Sequence, residues 1–309
     1  MDIPDFKPVF SQLRFRHLRI VSILATTRNM HRAAELLNVT QPAATKILQD
    51  LEEILGVQIF DRKPRAMTPT DIGQFIVDYA NQALADLGRF EKSLHNLKIG
   101  GYGALTIGAI MATAPDILPL AIAELKRRRP MLLIEVSTVT SDHLLVALEK
   151  GELDLVIGRP TEQRHRAIFD VEPIGHEELW AFVAEDHPLA GQTTIDLAMM
   201  RTFPWVVQQK TSPMRHIIEH MVAESGLAPL DNIIETTSIF ATLHLVRRAG
   251  MISILPRSIV ADEIGRGGIK RLPITIVNTL KPYGIIRRSG EQLSNNAEEL
   301  TGILRGLMI

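Results

Sequence analysis

The chain has 309 residues, 46% of them hydrophobic and 22% charged, and a formal charge of −1. These proportions suit a globular protein of two or three domains, and the absence of cysteine excludes disulfides, thiolate chemistry and cysteine-based zinc sites. The N-terminus, MDIPDFKPVF, has no basic segment followed by an apolar run, and no stretch approaches the ~20 apolar residues that span a bilayer, so a cytoplasmic protein without a membrane segment is expected.

Charge is unevenly spread. Residues 1–70 carry ten Lys and Arg against seven Asp and Glu, and the remainder 24 against 28. A basic head on an acidic body is the distribution a nucleic-acid reader needs.

In chain order, residues 1–13 read as a loose extension. Phe15 to Thr27 is a predicted helix with Leu18, Val21, Leu24 and Ala25 on one face, to which Phe10, Leu13 and Phe15 can add. Asn29 caps a second helix through Ala33, Ala34 and Leu37, and Asn38-Val39 makes a tight turn; the sequon Asn38-Val39-Thr40 is read as chance. Thr40 is expected to cap a third helix, with Pro42 tolerated in its first turn. There Ala44, Leu48, Leu51 and Leu55 recur at helical spacing and form a buried face. The opposite face carries Pro42, Thr45, Lys46 and Gln49, short or flexible side chains suited to a helix entering the DNA major groove. Gln58-Ile59-Phe60 reads as a strand, and Asp61-Arg62-Lys63-Pro64-Arg65 as a basic turn placed to hold phosphates.

From AAELLNVTQPAATKILQDLEEILGVQIFDR and the TPTDIG that follows, this segment resembles the winged helix-turn-helix of LysR-type transcriptional regulators. The resemblance implies DNA contacts at Arg32, Thr40, Gln41, Pro42, Ala43, Thr45, Lys46, Gln49, Arg62, Lys63 and Arg65. The family often has two basic residues in the middle of the reading helix; here Ile47, Gln49 and Asp50 leave only Lys46 positively charged, so base contacts fall to Gln41, Thr45 and Gln49.

A long helix follows, about Pro69 to Lys98, capped by Thr68 or Thr70, with Thr68-Pro69-Thr70-Asp71 readable as a capping box with proline at the first helical position. Ile72, Ile76, Tyr79, Ala83, Leu87, Phe90, Leu94 and Leu97 make an apolar stripe too long for the small head to cover, which predicts pairing with a second copy. In the LysR-type family the matching helix is the dimer helix. Gly100-Gly101-Tyr102-Gly103 reads as a short flexible hinge.

From Leu105 strands and helices alternate. Strands are predicted at Leu105 to Ala109, Leu132 to Val136, Leu153 to Ile157, Trp180 to Ala184, Trp205 to Gln208, Ile233 to Thr236, Ser253 to Leu255 and Tyr283 to Arg287. The continuous apolar runs imply a largely parallel sheet. The expected fold is thus α plus α/β: a winged helix-turn-helix over 1–68, a dimerisation helix and hinge over 69–103, and a two-lobed α/β effector domain over 104–309, similar to periplasmic binding proteins. Lobe 1 is assigned about 104–162 and 268–309, lobe 2 about 163–267. GELDLVIG, AEDHPLAG and LVRRAGMISILP resemble the effector domain of the same family.

Ligands in open α/β sheets bind beyond the carboxyl ends of strands. This selects Met111, Ala112 and Thr113, Thr140 and Ser141, Arg159 and Pro160, Gln208, Gln209 and Lys210, and Thr237 and Ser238. Their hydroxyls, with Arg159, fit a small anion such as a carboxylate or a neutral polar metabolite such as a sugar. His216-Ile217-Ile218-Glu219-His220 spells an inverted zinc-protease motif but is read as a solvated helix face, and no constellation of nucleophile, base and oxyanion donors is present. The expectation is a bacterial, non-enzymatic regulator, a homodimer or homotetramer without cofactor or metal, whose partners are operator DNA, a small effector and RNA polymerase. The alternative is a cytoplasmic solute-binding protein that uses its N-terminal helices only for assembly.

Overall fold

A computed structural model describes residues 12–63, 66–160, 162, 164–210, 212–276 and 280–307. The expected N-terminal extension, including Phe10, lies outside them apart from its last residues. The chain divides into two compact units. One is Met1–Ala104 with Met131–Leu133 and Val146–Leu153, and the other is Leu105–Pro130, Ile134–Leu145 and Asp154–Ile309.

In the first unit, α1 (Phe15–Thr27), α2 (Met30–Leu37) and α3 (Gln41–Leu55) close a small core with a hairpin of β1 (Phe60–Lys63) and β2 (Ala66–Pro69). Ile20, Val21, Leu24, Ala33, Ala44, Leu48, Leu51, Ile59 and Phe60 are buried in it. Leu13 packs against this core, whereas Phe15 is exposed, contrary to expectation. The Asn29 side chain accepts the Arg32 amide at 3.1 Å, and Asn38 ends α2 in the left-handed conformation at φ 57°.

Thr40 makes no side-chain cap. Its carbonyl takes the first helical bond, from Ala44, while Pro42 removes one of the amides a cap would have satisfied. Pro69 also departs from expectation: it ends β2 opposite Phe60, and Thr70 caps α4 (Asp71–Lys98) by accepting the Gly73 amide at 2.9 Å. A Cβ at Gly73 would collide with the Ile59 carbonyl, so only glycine lets this helix start against the hairpin.

The glycine turn after α4 is tied down rather than loose. Asn96, buried near the helix end, accepts the Gly103 amide at 2.9 Å and donates to the Met131 carbonyl at 3.0 Å. Gly100 and Gly103 supply the positive φ the turn requires, 81° and 87°.

The second unit holds two lobes. The first sheet has the order β4-β3-β5-β12-β6, with β3 (Ala104–Ala109), β4 (Leu133–Thr138), β5 (Leu155–Gly158), β6 (Phe169–Gly175) and β12 (Tyr283–Arg288). Around it lie α5 (Ile117–Arg128), α6 (Ser141–Glu149), the short α7 (His165–Ile168) and α12 (Asn295–Gly306). Only part of the expected parallel arrangement holds: β3 and β5 are parallel, but β12 runs antiparallel to β5 and β6. β4 is an exposed edge strand rather than a buried one. β6 belongs to this sheet, so the chain crosses after Gly175 rather than near residue 163.

The second lobe contains an antiparallel sheet β10-β7-β11 and a parallel pair β8-β9. Its strands are β7 (Leu179–Ala184), β8 (Trp205–Val207), β9 (Ile233–Glu235), β10 (Ser253–Pro256) and β11 (Ile269–Arg271). Its helices are α8 (Leu197–Arg201), α9 (Pro213–Glu224), α10 (Ile239–Ala249) and α11 (Arg257–Gly265). Phe182, Trp205, Ile252 and Leu255 fill the core. Because β11 pairs with β7, the return to the first lobe follows Arg271 rather than residue 268.

Candidate DNA-reading surface and ligand chamber

α3 has two faces of different character. Ala44, Leu48 and Leu51 are fully buried, whereas Gln41, Pro42, Lys46 and Gln49 are exposed and Ala43 and Thr45 partly so. The Thr45 hydroxyl donates to the Gln41 carbonyl at 3.0 Å, a bond that a base edge can exchange. Thr40 and Arg32 are exposed beside this row, Arg32 held by Glu35 at 2.7 Å. Its hydrogen bond keeps the Glu35 carboxyl below the usual range, but so exposed a pair is easily surrendered to a phosphate. Arg62 and Lys63 fall on β1, beside α3 in sequence; Arg65 lies outside the described residues.

The ligand candidates separate into groups. A chamber of about 440 Å³ opens between the lobes. Met111 after β3 and Thr138, Val139 and Thr140 at the end of β4 line one side, with His143 of α6. Gln208 and Gln209 after β8, Ser212 before α9, and Thr237 and Ile239 at the start of α10 line the other. Five predicted residues therefore converge there: Met111, Thr140, Gln208, Gln209 and Thr237. Ala112, Ser141 and Arg159 line a narrower recess of about 40 Å³ that shares Met111, Val139, Thr140 and Ser212 with the chamber.

Thr113 and Ser238 line neither cavity. Thr113 is fully buried and donates to the Ile110 carbonyl at 3.0 Å; Ser238 caps α10 by accepting the Ala241 amide. Sequence reasoning did not single out Thr138, Val139, His143, Ser212 or Ile239. Ser212 carried a usable signal, since it immediately precedes Pro213 at the first position of α9.

Arg159 does not offer its charge to the chamber. It pairs with Glu177, donates Nε to the Lys281 carbonyl at 2.8 Å, and lies over the Tyr283 ring at 5.8 Å. Burial brings its pKa down to about 10, so it remains protonated at neutral pH. A different cavity of about 430 Å³ on the first lobe is lined by charges that satisfy one another, Arg287 with Asp170 and Arg305 with Glu172. On α9, Glu219 binds Arg215, His220 binds Glu224, and both histidines of the protease-like motif are exposed. No group of three or more His, Asp or Glu among the described residues could hold a metal, and no described helix is long and apolar enough to cross a membrane.

A winged helix-turn-helix joined by a long helix to a two-lobed binding domain defines a ligand-responsive transcriptional regulator. Comparison with known proteins resolves the class. Residues 15–74 match the bacterial regulatory helix-turn-helix family of LysR type, and residues 100–308 match the LysR substrate-binding domain. The chain is 31% identical over 296 residues to the HTH-type transcriptional regulator GbpR of Azospirillum brasilense, covering 96% of this chain and 86% of that protein. It is 27% identical to the uncharacterized HTH-type regulator YdcI of Escherichia coli, covering 97% and 98%. Among solved structures, CbnR in complex with its target DNA aligns with a TM-score of 0.60 at 21% identity, covering 95% and 99% of the two chains. A full-length OxyR variant of Pseudomonas aeruginosa aligns with 0.61 at 24%, covering 95% of each. The protein belongs to the LysR family of DNA-binding transcriptional regulators with an effector-binding domain. Nothing observed favours the solute-binding alternative.

Proposed function

We propose that the chain reads operator DNA through Gln41, Pro42, Ala43, Thr45, Lys46 and Gln49 of α3, with Thr40, Arg32, Arg62, Lys63 and Arg65 holding phosphates. The carrying observation is the exposed row Gln41, Pro42, Lys46 and Gln49 on a helix whose other face is fully buried. CbnR, a relative in fold, has been solved on its target DNA, which supports the same use of the head here. Two copies joined through α4, alone or as a dimer of dimers, present two heads to successive major grooves of an interrupted palindrome. The head spans about 1–68, the dimer helix and linker 69–103, and the effector domain 104–309.

A small polar metabolite held in the interlobe chamber shifts the relative placement of the heads, and with it contact with RNA polymerase. It does so through its differential affinity for the two arrangements. The protein acts in the cytoplasm, where its DNA lies, as a regulator and not as an enzyme. A gel-shift assay on a labelled fragment upstream of its own gene tests this. Retardation that weakens steeply with salt and falls about tenfold or more in a Thr45→Ala/Lys46→Ala variant is expected. Absence of retardation at low salt would end the reading.

A further inference from the structure

Two largely buried residues of the chamber carry polar side chains with no hydrogen bond to another described residue. Gln208 is 4% exposed and Ser212 6%, and both line the chamber. Among the described residues neither the Gln208 amide nor the Ser212 hydroxyl meets a hydrogen-bond partner; Ser212 precedes α9 without capping it by its side chain. Polar groups that line a cavity and are not engaged by the protein itself are where a ligand's polar atoms belong. Resting on the reading of this chamber as the effector site, we propose that it takes an uncharged, polyhydroxylated ligand of monosaccharide size, anchored by Gln208 and Ser212.

The donor and acceptor inventory selects that class. A primary amide presents two N–H donors beside a carbonyl acceptor, so its complement must both accept and donate. Neighbouring hydroxyls on a carbon skeleton do this. A carboxylate only accepts: it would satisfy the Gln208 N–H groups and set its own charge against the Gln208 carbonyl. None of the described residues lining the chamber is a Lys or Arg that would offset the burial of such a charge. Arg159, in the adjoining recess, is committed to Glu177 and the Lys281 carbonyl. His143 sits exposed at the rim with Nδ1 2.9 Å from the Thr140 hydroxyl. Met111, Val139 and Ile239 supply apolar surface for the C–H faces of a sugar ring. The volume of about 440 Å³ falls within the usual range for small-molecule sites.

The test uses the full chain in thermal-shift and calorimetric titrations. The probes are neutral pentoses and hexoses, the uronic acids that keep the same rings but add a carboxylate, and a set of aromatic and dicarboxylic acids. At least one neutral sugar should raise the melting temperature and bind, with its uronic acid at least about tenfold weaker. Gln208→Leu should lose at least about tenfold in affinity without melting earlier when unliganded, because no partner is left unpaired; Ser212→Ala should weaken the same sugar. Binding of carboxylates alone, or of no neutral sugar at millimolar concentration, overturns the ligand class. If a carboxylate binds and Gln208→Leu abolishes it, the class fails while the chamber stands. Binding unchanged in both variants overturns the chamber itself.

Discussion

His17 illustrates what a single buried group does to the head. It lies on α1, 2% exposed, and Nδ1 accepts the Arg14 amide at 3.3 Å. Nε2 is buried with no hydrogen-bond partner among the described residues. Burial holds its pKa below the ordinary value, and Arg16 and Arg14 push the same way against the opposing pull of Asp50. The folded head thus prefers neutral imidazole, while the unfolded chain binds a proton below about pH 6.5. The unfolded state then holds more protons, so stability is complete above about pH 6.5 and declines as the pH falls below it. The head should melt at a lower temperature at pH 5.5 than at 7.5, and His17→Gln, which keeps an acceptor but does not titrate, should flatten that dependence. An unchanged slope in differential scanning calorimetry would exclude His17 as its source. Periodicity alone could not have flagged this residue, because it marks which face is buried and not which polar group is buried with it.

At the scale of elements, α4 is the least self-sufficient. Its 28 residues span about 42 Å. Of the predicted stripe, only Ile76 and Ala83 are partly covered by the head core, while Ile72, Tyr79, Leu87, Phe90, Leu94 and Leu97 stay exposed. Phe75, which the stripe omitted, is exposed by 76%. A stripe of that length matches a second copy of the helix, and each large side chain it buries contributes about 1.5–3 kcal/mol. Phe90→Glu with Leu94→Glu should therefore weaken self-association by about a hundredfold or more, visible in sedimentation velocity as a shift to monomer with the helix content unchanged. This element was legible because its signal is local and repeats over many turns. The helices of the head were legible for the same reason. Strand direction was not: an apolar run such as Leu155 to Gly158 shows burial on both faces but says nothing about the neighbour's direction, and β12 proved antiparallel. β6 escaped because its pattern, broken by Pro173 and partly exposed, resembles a loop, and β11, Ile-Lys-Arg with two exposed cations, lacks the apolar run that marked the equally short β8.

On the scale of the whole molecule, Arg159 is better understood as a tie across the hinge than as a ligand anchor. It follows β5 in the first lobe, and its two strongest partners sit on the two connections between lobes: Glu177 between β6 and β7, and Lys281 just before β12. The sequence showed an arginine beyond a strand end but could not show its partners, which lie 18 and 122 residues away. One guanidinium thus joins the two connections, so a change in lobe placement is expected to disturb this group. Removing one member of a buried pair leaves an uncompensated charge, at a cost of about 3–5 kcal/mol, whereas replacing both with apolar residues of similar volume is often nearly neutral. Glu177→Leu should accordingly lower the denaturant midpoint strongly, and Arg159→Met/Glu177→Leu should recover most of that loss. The double variant, folded but without the tie, should bind its effector with altered affinity while its affinity for operator DNA responds less to the effector. Equal stability of the single and double variants, or an undiminished response in the double, would show that the coupling between chamber and heads runs through other contacts.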